Sequence, residues 1–331
     1  MLLNWLRLSN EVAIKVYNGY GNTEHVTILG HVLSLWPLPR KNYRQNLFVN
    51  FFSLIRLFIV RPVNGATLRI YANGEYISTR SDPEGFFKLE WKPAQPFSFG
   101  WHNVKVELIN MPDTVITSGS GSLFVPHPTQ AGFISDIDDT FLVSHSSNLR
   151  KRLSVLFTNN ARSRKPFEEV VNHYKALMHA QTESGVPNPF FYVSSSEWNL
   201  YDYLVEFHRV NGFPEGVFLL NQLKVFNQIL KTGQNNHATK FTRIVRILEA
   251  FPQQKFVLLG DSSQHDTEIY ASIAYHFPGK IRAVYIRDVY QKNREKVQSA
   301  LSELEQSGVH CFLYQHSSEA ILHSKKIGLI N

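Results

Sequence analysis

Cysteine, signal-peptide features and long apolar runs are scarce in this chain of 331 residues. The single cysteine, Cys311, cannot form an internal disulfide, which suits a reducing compartment. The first ten residues lack the long apolar core and the small-residue cleavage site of a signal peptide. We therefore expect a cytoplasmic protein whose fold does not depend on disulfides.

The most apolar window, Leu47–Val60, is too short to cross a membrane. It is about 14 residues long and contains Asn50, Ser53 and Arg56, whereas a spanning helix needs about 20 apolar residues. Its pattern predicts an amphipathic helix that faces a protein core, and contact with a membrane interface is the alternative. We expect no transmembrane segment.

The residues that are present describe a folded, basic protein. Apolar residues make up 43% of the chain and aromatic residues 13%, as in globular proteins, and the length suits two domains. The formal net charge of +7 favours an anionic partner, which is a phosphate ester, an anionic lipid or a nucleic acid. A nucleic acid is disfavoured, because aromatic residues do not interleave with a basic strand face.

The two parts of the chain differ in periodicity. Up to residue 128, short alternating segments separated by turns, such as the hairpin turn Asn73-Gly74, predict an antiparallel β-sandwich with one inserted helix. No group of nucleophile, base and metal ligands stands out there, so we interpret residues 1–128 as an accessory domain. From residue 129 to residue 331, apolar strands alternate with helices, which predicts an α/β domain with a Rossmann-like, doubly wound parallel sheet.

A small insertion is expected in the second domain at about 145–188. Basic residues at Arg150–Arg152 and Arg162–Lys165 mix there with apolar ones. We interpret this mixture either as a solvated face or as a surface for a phosphorylated amphiphile or an anionic membrane.

Polar groups with catalytic chemistry follow several of the buried segments of the second domain. The set is Asp136, Asp138, Thr140, Ser194, Lys240, Asp261 and Asp266. The first three follow the predicted strand Gly132–Ser135, and the last two follow the predicted strand Lys255–Gly260. Buried acids are costly unless a cation or a reaction uses them, and ligands bind at the carboxyl ends of strands in open α/β sheets. The pattern therefore predicts one site.

This set of residues suits phosphoryl transfer through an aspartate. A carboxylate attacks phosphorus, and Asp138 protonates the leaving alkoxide and then activates water. Mg²⁺ is the expected cofactor, because phosphate and carboxylate are both anionic and oxygen ligands favour this ion. Its candidate ligands are Asp136, Asp261, Asp266 and the backbone carbonyl of Asp138. A serine hydroxyl and a lysine ammonium would hold the phosphoryl oxygens.

Four segments, DIDDTFLVS, YVSSSEWNLYDYL, FHRVNGFPEG and LLGDSSQHDTEIY, resemble the fungal actin-patch phosphatidate phosphatase family and its bacterial relatives. This family lies within the haloacid-dehalogenase superfamily, and the resemblance covers about residues 131–290. It implies a haloacid-dehalogenase-like fold and a Mg²⁺-dependent phosphatase with an aspartyl-phosphate intermediate. The implied roles are nucleophile for Asp136, acid/base for Asp138, phosphate binding for Thr140, Ser194 and Lys240, and metal binding for Asp261 and Asp266.

Several assignments stay open at this point. Ser195 and Ser196 are alternatives to Ser194, Lys224 and Lys231 are alternatives to Lys240, and either of Asp261 and Asp266 is the direct metal ligand. The chain also departs from the family pattern at Glu197 and at Asn221-Gln222, near the expected substrate mouth. Phosphatidate is the first candidate substrate, and a phosphoprotein or a small metabolite is the second. A non-catalytic adaptor that binds phosphate or anionic lipid is the alternative from another functional class.

Overall fold

A computed structural model describes residues 7–38, 47–110, 113–138, 140–141, 161–162, 164–182, 186–225, 236–263 and 265–331. The chain divides into two compact units. The first unit comprises Met1–His127, Glu197–Leu200 and Gln222–Thr232, and the second comprises Pro128–Ser196, Tyr201–Asn221 and Gly233–Asn331. Two short segments of the predicted second domain thus belong to the first unit.

Ten strands of the first unit form one hydrogen-bonded sheet. They are β1 (Leu8–Ser9), β2 (Ala13–Val16), β3 (Gly19–Gly21), β4 (Val26–Pro37), β5 (Arg61–Pro62), β6 (Thr67–Ala72), β7 (Glu75–Arg80), β8 (Phe86–Trp91), β9 (Gly100–Asn110) and β10 (Thr114–Val125). The main path is β1-β4-β3-β10-β9-β6-β7, and β2, β5 and β8 also pair with the long strand β4. Only the β3–β10 pair among these described strands is parallel. The prediction that this part forms a β-sandwich stays a prediction.

The hairpin between β6 and β7 confirms the predicted turn at Asn73-Gly74. Ala72 pairs with Glu75, so the loop has two residues. Asn73 has a φ of 48° and Gly74 a φ of 83°. Two consecutive left-handed residues are what a type I′ turn requires, and Asn-Gly adopts it at the lowest steric cost.

The structure confirms the helix predicted in the apolar window Leu47–Val60. Helix α1 (Leu47–Ile55) is followed by a short 3₁₀ turn, Arg56–Phe58. Leu54 and Phe58 are buried, whereas Val49 and Phe52 are exposed, so only part of the apolar surface of this segment faces a core. Among the residues that the structure describes, no helix is long and apolar enough to span a bilayer.

The second unit is built from alternating strands and helices. Its strands are β11 (Gly132–Ser135), β12 (Phe190–Glu197), β13 (Val217–Asn221), β14 (Phe256–Asp261), β15 (Ile281–Arg287) and β16 (His310–Tyr314). Its helices are α2 (Val170–Met178), α3 (Tyr201–Asn211), α4 (Asn236–Ala250), α5 (Asp266–His276), α6 (Arg294–Gln306) and α7 (Ser317–Lys326). The mixed α/β class predicted from the sequence is confirmed.

These six strands form a sheet in the order β13-β12-β11-β14-β15-β16. The β11–β12, β11–β14, β14–β15 and β15–β16 pairs are parallel, which confirms a parallel sheet. From β11 the chain proceeds to one edge through β12 and β13, and it then returns to the other side of β11 with β14. The strand order therefore diverges between β11 and β14. The finer prediction of a doubly wound, haloacid-dehalogenase-like fold stays a prediction.

Strand β12 is longer than the sequence predicts. The apolar run Phe190–Val193 predicts a strand that ends at Val193, whereas β12 continues through Ser194, Ser195 and Ser196 to Glu197. Helix α2 lies within the range of the predicted insertion at 145–188. The basic segment at residues 150–152 lies outside the described residues, so the interpretation of its surface stays a prediction.

Candidate active site

The candidate site lies at the carboxyl ends of the two central strands of the second unit. Asp136 directly follows β11, and Asp261 is the last residue of β14. These strands are neighbours at the point where the strand order diverges. Ligands bind at this position in open α/β sheets, because the loops that leave the two strands separate there and leave a crevice.

Three carboxylates meet at this position. Asp136, Asp261 and Asp266 each offer an oxygen, and these oxygens lie within 4.8 Å of one another. All three residues are almost fully buried. Asp266 is the first residue of α5, and its Oδ2 accepts a hydrogen bond from the backbone N–H of Asp261 at 3.3 Å. The fold thus joins acids that are 130 positions apart in the sequence.

Lys240, on helix α4, lies against the same carboxylates. Its Nζ donates to Asp136 Oδ1 at 2.8 Å and also to Asp266 Oδ1. Burial lowers the pKa of Lys240, but the Asp136 and Asp266 carboxylates outweigh this effect and raise it above its ordinary value. The lysine is therefore charged and compensates part of the negative charge of the cluster.

One ammonium does not neutralise three carboxylates. Burial raises the pKa of Asp136 well above its usual value, and the nearby Lys240 offsets only part of this effect. Burial, together with the adjacent Asp266 carboxylate, raises the pKa of Asp261 to about 8. A cation in contact with these groups would favour their ionised forms.

The donor set fits a magnesium ion. Asp261 Oδ1 accepts from the backbone N–H of Ser263 at 2.6 Å. Asp261 Oδ2 is buried and has no hydrogen-bond partner among the described residues. A buried oxygen without a donor is unfavourable unless a cation takes that place. The ligands offered are all oxygens, which Mg²⁺ prefers.

Asp138 is not one of the three clustered carboxylates, and it contacts two serines. Its Oδ2 accepts from Ser196 Oγ at 3.0 Å and from Ser194 Oγ at 3.3 Å. The Ser194 carbonyl accepts from the Arg243 guanidinium at 3.2 Å. Of the three candidate serines, the structure thus brings Ser194 and Ser196 to the predicted acid/base. Ser195 points to the opposite face of β12, as strand alternation requires.

Thr140 connects the carboxylates to an arginine that sequence reasoning missed. Thr140 Oγ1 donates to Asp136 Oδ2 at 3.4 Å, and the Thr140 carbonyl accepts from Arg287 Nε at 2.8 Å. The Arg287 guanidinium is buried and also donates to the Gln315 carbonyl and to Ser317 Oγ. No local pattern indicates this role, because the three acceptors lie 147, 28 and 30 positions from Arg287 in the sequence.

Of the other two candidate lysines, the structure describes only Lys224, which pairs with a different acid. Lys224 Nζ donates to Glu197 Oε1 at 2.6 Å within the first unit. Lys231 lies outside the described residues. At the departure from the family pattern, Asn221 Oδ1 accepts from Arg243 Nη2 at 3.2 Å in the second unit. Lys240 is therefore the lysine with the contacts expected of a phosphate-site cation.

Residues 131–288 match the family described as "Phosphatidate phosphatase APP1, catalytic domain". The chain is 35% identical to phosphatidate phosphatase APP1 of Saccharomyces cerevisiae over 165 residues, which is 48% of this chain and 26% of the yeast protein. It is 25% identical to an uncharacterized protein of Schizosaccharomyces pombe over 185 residues, 54% of this chain and 28% of that protein. The chain thus spans about a quarter of the length of these relatives. The family resemblance predicted from the motifs is confirmed.

Similarity to solved structures is weaker. The fibronectin(III)-like modules of Clostridium thermocellum CbhA align with 34% of this chain and 96% of their own length, at 19% identity and a TM-score of 0.19. A carbohydrate acetylesterase from Xanthomonas citri aligns with 82% of this chain and 68% of its own length, at 11% identity and a TM-score of 0.29. TM-scores this low do not establish a shared fold.

Proposed function

We propose, on the premise that residues 131–288 match the family of the APP1 phosphatidate phosphatase catalytic domain, that the chain is a phosphoric monoester hydrolase that acts through Asp136. The observation that supports the proposal most directly is the buried group of Asp136, Asp261 and Asp266 with Lys240 against it. A phosphoryl group is anionic, so a site of this kind needs cations around it and one carboxylate that is free to attack.

The residues divide the reaction into two steps. In the first, an Asp136 oxygen forms a bond to phosphorus, the bond to the leaving oxygen breaks, and the carboxyl proton of Asp138 passes to that oxygen. In the second, the Asp138 carboxylate takes a proton from water, the water oxygen attacks phosphorus, and inorganic phosphate leaves with Asp136 restored. Ser194, Thr140 and Lys240 hold the phosphoryl oxygens during both steps.

Magnesium is the proposed cofactor. When bound, the ion would offset the charge of the phosphoryl group and of the carboxylates that face it. Asp136, Asp261, Asp266 and the backbone carbonyl of Asp138 would hold it. Asp261 supports this assignment best, because its Oδ2 is buried without a hydrogen-bond partner among the described residues.

Phosphatidate is the proposed substrate, because the family carries that activity in its name. This substrate lies in membranes, so we propose a cytoplasmic enzyme that contacts anionic membrane surfaces from outside the bilayer. A phosphoprotein or a small phosphorylated metabolite is the alternative, favoured by the departures at Glu197 and Asn221. A panel of phosphomonoesters that includes phosphatidate in mixed micelles separates these possibilities. The highest kcat/KM is expected for phosphatidate, and a higher value for a soluble ester would replace it.

A non-catalytic adaptor is the competing function. Binding of phosphate alone does not require an acid such as Asp138, so the full set of residues favours an enzyme. Hydrolysis of p-nitrophenyl phosphate separates the two functions. Saturable turnover with Mg²⁺ that stops on addition of a chelator supports the enzyme, and binding of phosphatidate vesicles without turnover of any ester supports the adaptor.

We also propose a haloacid-dehalogenase-like, doubly wound fold for the second unit and a β-sandwich for the first. The strand order β13-β12-β11-β14-β15-β16 supports the former, since a parallel sheet with a central point of divergence is typical of doubly wound folds. The many antiparallel pairs and the buried core of residues such as Val26, Leu68 and Val106 support the latter.

A further inference from the structure

Two serine hydroxyls share one oxygen of the predicted acid/base. Ser196 Oγ lies 3.0 Å from Asp138 Oδ2, and Ser194 Oγ lies 3.3 Å from the same atom. Both serines are buried on one face of β12. Sequence reasoning treats Ser196 only as a substitute for Ser194, whereas the structure gives both residues contacts at the same time.

The two hydroxyls are not equivalent. Ser194 Oγ accepts a hydrogen bond from the backbone N–H of Ser196 at 2.9 Å, so its position is fixed by the strand itself. A hydroxyl carries one proton, so Ser194 donates either to Asp138 or to a phosphoryl oxygen, but not to both. When Ser194 turns its proton to the substrate, Asp138 loses that hydrogen bond. The shorter bond from Ser196 does not depend on this change.

We propose that Ser196 is a positioning residue that keeps the Asp138 carboxyl in place while Ser194 binds the phosphoryl group. The role rests on the proposed function, because it concerns the acid/base of that reaction. The carboxyl must stay aimed at the leaving oxygen in the first step and at water in the second. Proton transfer requires this alignment, and small displacements of the catalytic group reduce the rate strongly.

The test compares three neighbouring serines in the full chain. Ser196→Ala is expected to lower kcat for p-nitrophenyl phosphate by about 10- to 100-fold, because alignment of the acid/base contributes to the transition state. Its KM and its inhibition by inorganic phosphate should stay within about 3-fold of wild type, because the phosphoryl contacts remain. Ser196→Thr keeps the hydroxyl and is expected to restore part of kcat.

Ser194→Ala and Ser195→Ala complete the set. Ser194→Ala should weaken inhibition by inorganic phosphate, because it removes a contact to the phosphoryl oxygens. Ser195 lies on the other face of β12, and Ser195→Ala should match wild type in kcat, KM and phosphate inhibition. Far-ultraviolet circular dichroism and the melting temperature of each variant confirm that the compared proteins are folded.

The outcomes separate this role from the proposed function. If wild type hydrolyses the ester with Mg²⁺ and Ser196→Ala does so with an unchanged kcat, Ser196 does not position Asp138. A loss of phosphate inhibition equal to that of Ser194→Ala would make Ser196 a phosphate ligand instead and overturn the proposal. If wild type itself shows no Mg²⁺-dependent turnover of any ester in the panel, the proposed function fails, and the role of Ser196 fails with it.

Discussion

At the scale of single residues, Lys240 supplies the positive charge that faces the clustered carboxylates of the site. It contacts two buried carboxylates and is itself buried. Removing one partner of a buried ion pair leaves an uncompensated charge, which costs far more than the loss of an exposed pair. The lysine therefore affects stability as well as phosphate binding.

Lys240→Met is expected to lower the free energy of unfolding by about 3–5 kcal/mol in metal-free buffer, because it leaves the buried Asp136 and Asp266 carboxylates without their counter-ion. Urea denaturation followed by circular dichroism measures this change. Lys224→Met is the matched control, since Lys224 pairs with Glu197 in a partly exposed position, and it should cost about 1 kcal/mol or less. Equal losses in the two variants would contradict the importance of the buried pair.

At the scale of secondary-structure elements, the end of strand β15 stabilises the loop that carries the candidate site. Arg287, its last residue, is the neighbour of Asp261 on β14. Its guanidinium donates three hydrogen bonds and lies 4.4 Å from the ring centre of Phe167 and 4.8 Å from that of Tyr314. The planar fork of an arginine satisfies several acceptors at once, which an ammonium does not. The end of β15 thus fixes the backbone at Thr140.

Arg287→Lys is expected to lower the free energy of unfolding by about 1–3 kcal/mol, because the charge stays while acceptors lose their donors. It should also lower kcat, since Thr140 contacts Asp136. Arg282→Lys on the same strand is the control, because Arg282 is only half-buried and contacts Gln181 and Gly328. The control should change stability by about 0.5 kcal/mol or less. Indistinguishable urea curves for the two variants would refute the assignment.

Elements with strong local patterns could be predicted from the sequence. The bounds of β11 agree with the predicted strand Gly132–Ser135, because a short apolar run followed by acids defines them. The extension of β12 through Ser194–Ser196 could not be predicted, since serines usually favour turns and caps. A tertiary contact stabilises the extended conformation here, because Asp138, which lies 56 and 58 positions away from the two serines, accepts hydrogen bonds from both hydroxyls.

The candidate site likewise contains residues that could be predicted from the sequence and contacts that could not. The carboxylates could be predicted because each one stands beside a buried strand, where an acid needs a partner. The contact of Arg287 with Thr140 joins residues 147 positions apart, and nothing near either residue indicates it. The different roles of Ser194 and Ser196 also depend on distances that a sequence does not contain.

At the scale of the whole molecule, we expect both units to lose stability in acid, because buried histidines lie in both. Burial lowers the pKa of His31 in the first unit and of His173 and His208 in the second to about 3. An unfolded histidine titrates near 6.5, so between about pH 3 and 6.5 the unfolded chain binds more protons than the folded one. The stabilisation from these groups is complete above pH 6.5 and is lost as the pH falls toward 3.

His208→Phe tests this prediction, because the ring lies among Phe141, Tyr192, Phe213 and Phe218 and is replaced there by another aromatic ring. Each buried histidine should cost up to about 2 kcal/mol of stability between pH 7 and pH 5. The variant should therefore lose about 1–2 kcal/mol less than wild type over this range in urea denaturation. Parallel pH profiles for the two proteins would show that His208 does not titrate on unfolding.

The central claim is that Asp136 forms the bond to phosphorus. Its most direct test is the Mg²⁺-dependent rate of p-nitrophenyl phosphate hydrolysis by Asp136→Asn, compared with wild type at equal amounts of folded protein. We predict a loss of at least about 10³-fold in kcat with the circular dichroism spectrum unchanged, because an amide does not replace a carboxylate as nucleophile. A rate like that of wild type would contradict the account.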